Sequence, residues 1–122
     1  MRICLIGAGN LATQLGMTLA EKGHQIVQVW SHTLKRAEEL ASTLRAPFTT
    51  DIDSIISDAD IYIVAIKDEA IAPLLTAHSW GNALVVHTSG SIPVDILAPH
   101  CVNFGVFIRS RPLQSVKKLI LT

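Results

Sequence analysis

The chain has 122 residues, of which 49% are hydrophobic and 16% are charged, and its ten basic and ten acidic side chains give a net charge of zero. This balance offers no bulk attraction for nucleic acid or an anionic membrane, and no stretch reaches the roughly 18 uninterrupted apolar residues of a membrane span. Cys4 and Cys101 are too few for a disulfide framework, so we expect free thiols and a cytoplasmic protein. The length predicts a single domain.

Residues 1–22 contain the motif around which the rest of the chain is organised. An apolar run over residues 3–6 predicts a buried strand, and apolar residues at helical spacing follow it. Between them Gly7, Gly9 and Ala12 form G-x-G-x-x-A, the small-residue variant of the dinucleotide-binding fingerprint, although glycines also mark ordinary strand-to-helix turns. Gly7 allows the turn, Gly9 lets the backbone approach a pyrophosphate, and Ala12 allows close helix packing. The predicted contacts are Gly7, Ala8, Gly9, Asn10 and Leu11.

Strands and helices alternate through the rest of the chain. Further strands are predicted at residues 25–30, 46–50, 61–66, 84–87 and 102–108, and helices at residues 34–44, 51–56, 68–78 and 93–97, with a turn at residues 88–91. Asp51 is a plausible N-cap, and Pro73 predicts that its helix is kinked or split. The alternation predicts an α/β fold, a Rossmann-type doubly wound parallel sheet with strand order 3-2-1-4-5-6. Residues 1–108 form this domain, and residues 109–122 are a tail or a connection to an absent domain.

The end of the second strand indicates the choice of cofactor. NAD-binding proteins place an acidic residue there to hold the ribose 2′-hydroxyl, but residues 30–36 contain no Asp or Glu. Ser31 and Thr33 offer hydroxyl groups, and Lys35 or Arg36 offers a cation for a 2′-phosphate. These residues therefore predict NADP rather than NAD. The alternative is that Thr33 is only a helix N-cap and that the two cations belong to a solvated helix face.

The ends of the fourth and fifth strands complete the predicted ligand edge. Ile66 and Lys67 are expected near a ribose of the cofactor, although Lys67 is also interpretable as a solvated loop residue. His87 and Ser89 are expected near the nicotinamide. His87 is a candidate acid or base, but a strand-end histidine bonded to the backbone is the favoured interpretation. Ser89 does not make a nucleophilic triad, the catalytic group is unknown, and the His and Cys spacing predicts no metal site.

These motifs, at residues 7–12, 31–33, 61–71 and 86–91, together resemble a known family. The chain resembles, over about residues 1–108, the N-terminal Rossmann-like domain of bacterial candidate NADP oxidoreductases, which is followed by a domain of unknown function. That family is similar to pyrroline-5-carboxylate reductases and β-hydroxyacid dehydrogenases. The resemblance implies NADP bound at residues 7–12 and at Ser31, His32 and Thr33, with further contacts from Ile66, Lys67 and the turn at residues 87–90.

The same resemblance implies a helical C-terminal domain that forms a homodimer and closes the substrate site. The chain departs from the family pattern before Pro112, where residues 108–111 replace an aromatic residue. The expected function is an NADP(H)-binding domain of an oxidoreductase that transfers hydride between the nicotinamide and a small-molecule substrate. The alternatives are a non-catalytic dinucleotide-binding or redox-sensing module, and a module that binds a flavin or an adenylate.

Overall fold

The computed structural model describes residues 1–89, 92–109 and 116–121, and its strands form one sheet. In chain order they are β1 (Arg2–Ile6), β2 (Gln25–Trp30), β3 (Phe48–Thr49), β4 (Ile61–Val64), β5 (Leu84–His87), β6 (Asn103–Arg109) and β7 (Val116–Leu121). The order across the sheet is β3-β2-β1-β4-β5-β6-β7. Strands β1 to β6 run parallel, and β7 pairs antiparallel with β6. The predicted fold and strand order are confirmed, and the seventh strand is an addition.

In the described part of the chain, three α-helices connect strands, namely α1 (Asn10–Glu21), α2 (Leu34–Leu44) and α3 (Asp68–Ala77). Helix α3 is continuous through Pro73, so of the two predicted alternatives, a kink or a split, the split is wrong. Proline has no N–H, so one carbonyl of the preceding helical turn lacks its usual hydrogen-bond donor. Because the Pro73 side chain is exposed, this carbonyl lies on the solvent face of the helix, where water can bond to it. The predicted helix after Asp51 is a single 3₁₀ turn over Ile52–Ser54, and the Asp51 carboxylate accepts the Asp53 N–H at 3.0 Å.

Each face of the sheet is buried beneath its own hydrophobic cluster. Along β1, Ile3 and Leu5 join a cluster that contains Leu15 of α1 and Leu40 of α2. The alternate residues of β1 join the opposite cluster, which contains Ile71 and Leu75 of α3. Because successive strand residues point to opposite faces, a strand covered on both sides is apolar throughout. This explains the uninterrupted apolar runs that predicted β1 and β4.

A buried glutamine anchors the connection between β3 and β4. Gln28 lies in β2, where its Nε2 donates to the Ser54 carbonyl at 3.0 Å. Its Oε1 accepts the Ile56 N–H at 2.9 Å and lies 3.7 Å from the Cys4 Sγ. The regular structure of this connection is limited to the short 3₁₀ turn, and the Gln28 hydrogen bonds hold it in addition to the packing of Ile55 and Ala59 on the core.

Helix α1 approaches its neighbours closely at Gly16. A Cβ placed there would lie 2.9 Å from a methyl carbon of Leu44 and 3.0 Å from one of Leu5. Ala12 is also fully buried, as the fingerprint predicts for close packing. Small side chains on one face of α1 therefore set how near α1 lies to α2 and to β1.

Two sequence predictions fall wholly or partly outside the described residues. The Gly90 and Ser91 half of the predicted turn lies outside them, as do residues 110–115 and residue 122 of the predicted tail. Cys4 and Cys101 are buried and free, as expected. Among the described residues, no helix is both long enough and apolar enough to cross a membrane.

Candidate functional site

The predicted site residues collect at the carboxyl ends of the parallel strands. Gly7 follows β1, Ser31 follows β2, and Thr88 follows β5, while Ile66 lies two residues after the end of β4. The strand order reverses between β1 and β4, because β2 and β3 extend to one side of β1 and the later strands extend to the other. Open α/β sheets bind ligands at this switch point.

Gly7 is required by the fold itself. Its φ is +120°, and its N–H donates to the Trp30 carbonyl at 2.7 Å. A Cβ at this position would lie 2.2 Å from the Ala65 carbonyl oxygen, which is far inside van der Waals contact. Gly7 therefore lets the chain turn while it touches the ends of β2 and β4 at the same time.

Gly9 has a different environment, because it opens towards solvent. It is the N-cap of α1, and a Cβ placed on it would meet nothing within 4 Å. No side chain caps the helix, and its first turn has no acidic residue. The first backbone N–H groups of a helix have no acceptor within it, and the helix dipole makes that end attractive to anions. The start of α1 thus has the features of a phosphate cradle.

A groove of about 470 Å³ lies between the start of α1 and one face of α2. Its lining residues are Ala8, Gly9, Asn10, Thr13, Arg36, Glu39, Leu40 and Thr43. Among the predicted contacts, the groove brings together Ala8, Gly9, Asn10 and Arg36. Sequence analysis missed Thr13 and the α2 residues beyond Arg36. Positions 36, 39, 40 and 43 have the spacing of one helix face, but the sequence does not show that this face of α2 borders the groove.

The end of β2 forms a tight turn in which Ser31 plays an ordering role. Ser31 is buried, its N–H donates to the Thr49 carbonyl at 3.2 Å, and its Oγ accepts the Thr33 N–H at 3.2 Å. Thr33 is the N-cap of α2 but makes no side-chain capping bond. His32, Thr33 and Arg36 are exposed beside the turn. These three side chains are free to meet a ligand, whereas Ser31 shapes the turn that presents them.

The remaining predicted contacts differ in accessibility. Leu11 and Ile66 are half-buried and pack against the two core clusters, while Lys67 is exposed at the N-cap of α3. His87 is 0% exposed, and its Nδ1 accepts the Ser89 N–H at 3.1 Å. This confirms the interpretation of a strand-end histidine bonded to the backbone. Because Nδ1 accepts, the neutral ring carries its proton on Nε2, which is buried without a partner in the structure.

Neither thiol is available for chemistry at neutral pH. Burial raises the pKa of Cys4 to about 12 and that of Cys101 to about 11, so both remain protonated. A protonated thiol is a poor nucleophile and a poor metal ligand. Within residues 1–89, 92–109 and 116–121, no three His, Cys, Asp or Glu side chains lie close enough together to hold a metal ion.

Comparison with known proteins places this geometry in context. The sequence profile of the family described as NADP oxidoreductase, coenzyme F420-dependent, matches residues 2–99. A glycerol-3-phosphate dehydrogenase [NAD(P)+] of Lysinibacillus sphaericus is 33% identical over an alignment that covers 98% of this chain and 39% of the relative.

Solved structures agree with the sequence comparison. A candidate NADP oxidoreductase from Bacteroides fragilis is 42% identical, with a TM-score of 0.84, and the match covers 98% of this chain and 49% of that one. A pyrroline-5-carboxylate reductase from Coxiella burnetii has a TM-score of 0.77 at 17% identity, covering 92% of this chain and 45% of that one, and shows the same fold. The chain therefore spans half or less of the length of these proteins.

Proposed function

The chain belongs to the family of NADP oxidoreductases described as coenzyme F420-dependent, and from this membership we propose that it is the cofactor domain of a two-domain, NADP(H)-dependent oxidoreductase. Its fold is the Rossmann-type domain of that family, whose cofactor is NADP. The observation that carries the proposal is the open cradle at Gly9, which leads into a groove containing Arg36. Gly9 has a φ of −79° and no atom within 4 Å of where a Cβ would lie, so neither the backbone conformation nor the packing of the protein requires glycine there, and the open space is available to a ligand.

In this proposal each predicted contact has a physical task. The backbone from Gly7 to Leu11 holds the pyrophosphate at the start of α1, where the helix dipole and free N–H groups favour anions. Arg36 binds the 2′-phosphate, and His32 and Thr33 flank it on the turn that Ser31 orders. No Asp or Glu lies between Trp30 and Arg36 to repel that phosphate. The site thus favours NADP over NAD.

The other strand ends serve the rest of the cofactor. Ile66 offers a half-buried apolar surface to the adenosine or nicotinamide ribose, and Lys67 offers an exposed cation beside it. The turn at His87 and Ser89 lies near the nicotinamide, and the His87 ring contributes by holding the shape of that turn. The bound nicotinamide supplies hydride chemistry, while the protein binds and orients it.

The substrate, assembly and location complete the proposal. Relatives of twice the length support a second domain that follows residues 109–122 and contributes the substrate site for a small molecule. We propose a homodimer, built through that second domain, and a cytoplasmic location in keeping with two free, buried thiols. The solution mass of the longer protein tests the dimer.

Calorimetric titration of the chain with NADPH and then NADH tests cofactor binding. We expect tighter binding of NADPH, and Arg36→Gln should weaken it about tenfold while leaving NADH nearly unchanged, since one charge-assisted phosphate contact is lost. Lys35→Gln is the matched control, because Lys35 is an exposed neighbour that does not line the groove. No loss of NADPH affinity in Arg36→Gln, or equal losses from both variants, would refute the phosphate site.

A further inference from the structure

The groove contains a carboxylate as well as a cation. Glu39 lies one helical turn after Arg36 on the same face of α2, and both residues line the groove. Among the described residues, neither side chain takes part in an ion pair, and the salt bridge that is present joins Arg2 to Asp58. Glu39 therefore presents an unneutralised negative charge to whatever occupies the groove.

This charge distinguishes two dinucleotides that differ by one phosphate. A 2′-phosphate held at Arg36 brings further negative charge into the groove that Glu39 lines, and like charges repel. The 2′-hydroxyl of NADH is uncharged and meets no such repulsion. We propose that Glu39 is a specificity-determining residue that weakens NADPH binding and so limits the preference for NADPH over NADH. This inference rests on the proposed function, because it requires the 2′-phosphate to enter the groove.

The proposed role of Glu39 depends on its position in the groove as well as on its charge. Glu38 is the preceding residue of the same helix and is also exposed, but it does not line the groove. A general effect of removing one acidic residue from the chain would be the same at both positions. Only a local interaction with the phosphate separates them, which makes Glu38 a matched control.

The test measures dissociation constants of NADPH and NADH for the wild-type chain, Glu39→Gln and Glu38→Gln. We expect Glu39→Gln to lower the dissociation constant of NADPH about three- to tenfold, because one exposed charge repulsion is removed, and to change that of NADH by less than about twofold. Glu38→Gln should leave both constants within about twofold of wild type. Raising the salt concentration should shrink the gain of Glu39→Gln, since salt screens exposed charges.

Each remaining outcome has a defined meaning. Unchanged or weaker NADPH binding by Glu39→Gln overturns the inference, and so does an equal gain from Glu38→Gln. If Arg36→Gln weakens NADPH binding in these cases, the phosphate site is supported and only the proposed role of Glu39 is refuted. If the wild-type chain binds no NADPH, or if Arg36→Gln has no effect on it, the proposed function itself fails.

Discussion

Replacing each glycine of the fingerprint by alanine should separate folding from cofactor binding. Gly7→Ala places a methyl group where the structure allows 2.2 Å to the Ala65 carbonyl oxygen. The same change at Gly9 places it in open space, with φ −79° and ψ −168°, a conformation that alanine adopts readily. We expect Gly7→Ala to lose stability and Gly9→Ala to lose affinity for NADPH.

The expected size of each effect follows from this geometry. At Gly7, an unfavourable φ costs about 1–3 kcal/mol and relief of the clash costs about 1–3 kcal/mol more, so the free energy of unfolding should fall by about 2–6 kcal/mol. At Gly9, alanine is a poorer N-cap than glycine, which lowers the free energy of unfolding by about 1 kcal/mol. Alanine also reduces the conformational entropy of the unfolded chain, which raises the free energy of unfolding by about 0.4–1 kcal/mol. These terms nearly cancel, so Gly9→Ala should unfold close to wild type.

Two assays on the same protein samples check this pair of variants. Urea unfolding gives the free energy of each variant, and titration with NADPH gives the affinity of those that fold. A Gly9→Ala chain that binds NADPH as well as wild type would refute the phosphate cradle at the start of α1. A Gly7→Ala chain as stable as wild type would refute the close contact between the turn and the end of β4.

Two further predictions concern stability. In urea unfolding, Gln28→Leu should lower the free energy of unfolding by about 2–3 kcal/mol, because two backbone groups lose their hydrogen-bond partners. The control Gln25→Leu, at an exposed position of the same strand, should change it by less than about 0.5 kcal/mol. Burial lowers the pKa of His78 from its ordinary 6.5, against a smaller raising effect of Asp53, so the unfolded chain binds the proton more readily. Stability should therefore be complete above about pH 6.5 and fall below it, and His78→Gln should show a smaller drop in urea midpoint between about pH 8 and pH 5.

The fold was largely predictable because apolar runs were bounded by clear turn residues. Strand β2, helix α2 and strand β5 have the predicted bounds. Strand β4 ends at Val64, two residues before the predicted end at Ile66, and its pairing with β1 ends there opposite Ile6. Helix α3 is continuous through Pro73, whose side chain faces solvent. The periodicity of the sequence alone did not predict that orientation.

The site was predictable only in part. The fingerprint specifies the start of α1, but the opposite wall of the groove depends on how α2 packs beside it, and Gly16 with Leu44 sets that distance. Glu39 therefore entered the site through tertiary packing and not through a motif. The structural role of Gln28 could not be predicted for a similar reason, since its hydrogen-bond partners lie 26 and 28 residues away in the connection between β3 and β4.

The central position of β1 has a consequence for the newly made chain. Arg2–Ile6 precedes both of its partner strands in the chain, because it pairs on one side with β2 and on the other with Ile61–Val64, which is synthesised only after α1, β2, α2 and β3. Until then, this apolar strand has at least one open edge, which is the geometry that invites pairing with another chain. Synthesis of β4 supplies the strand that covers this remaining edge of β1.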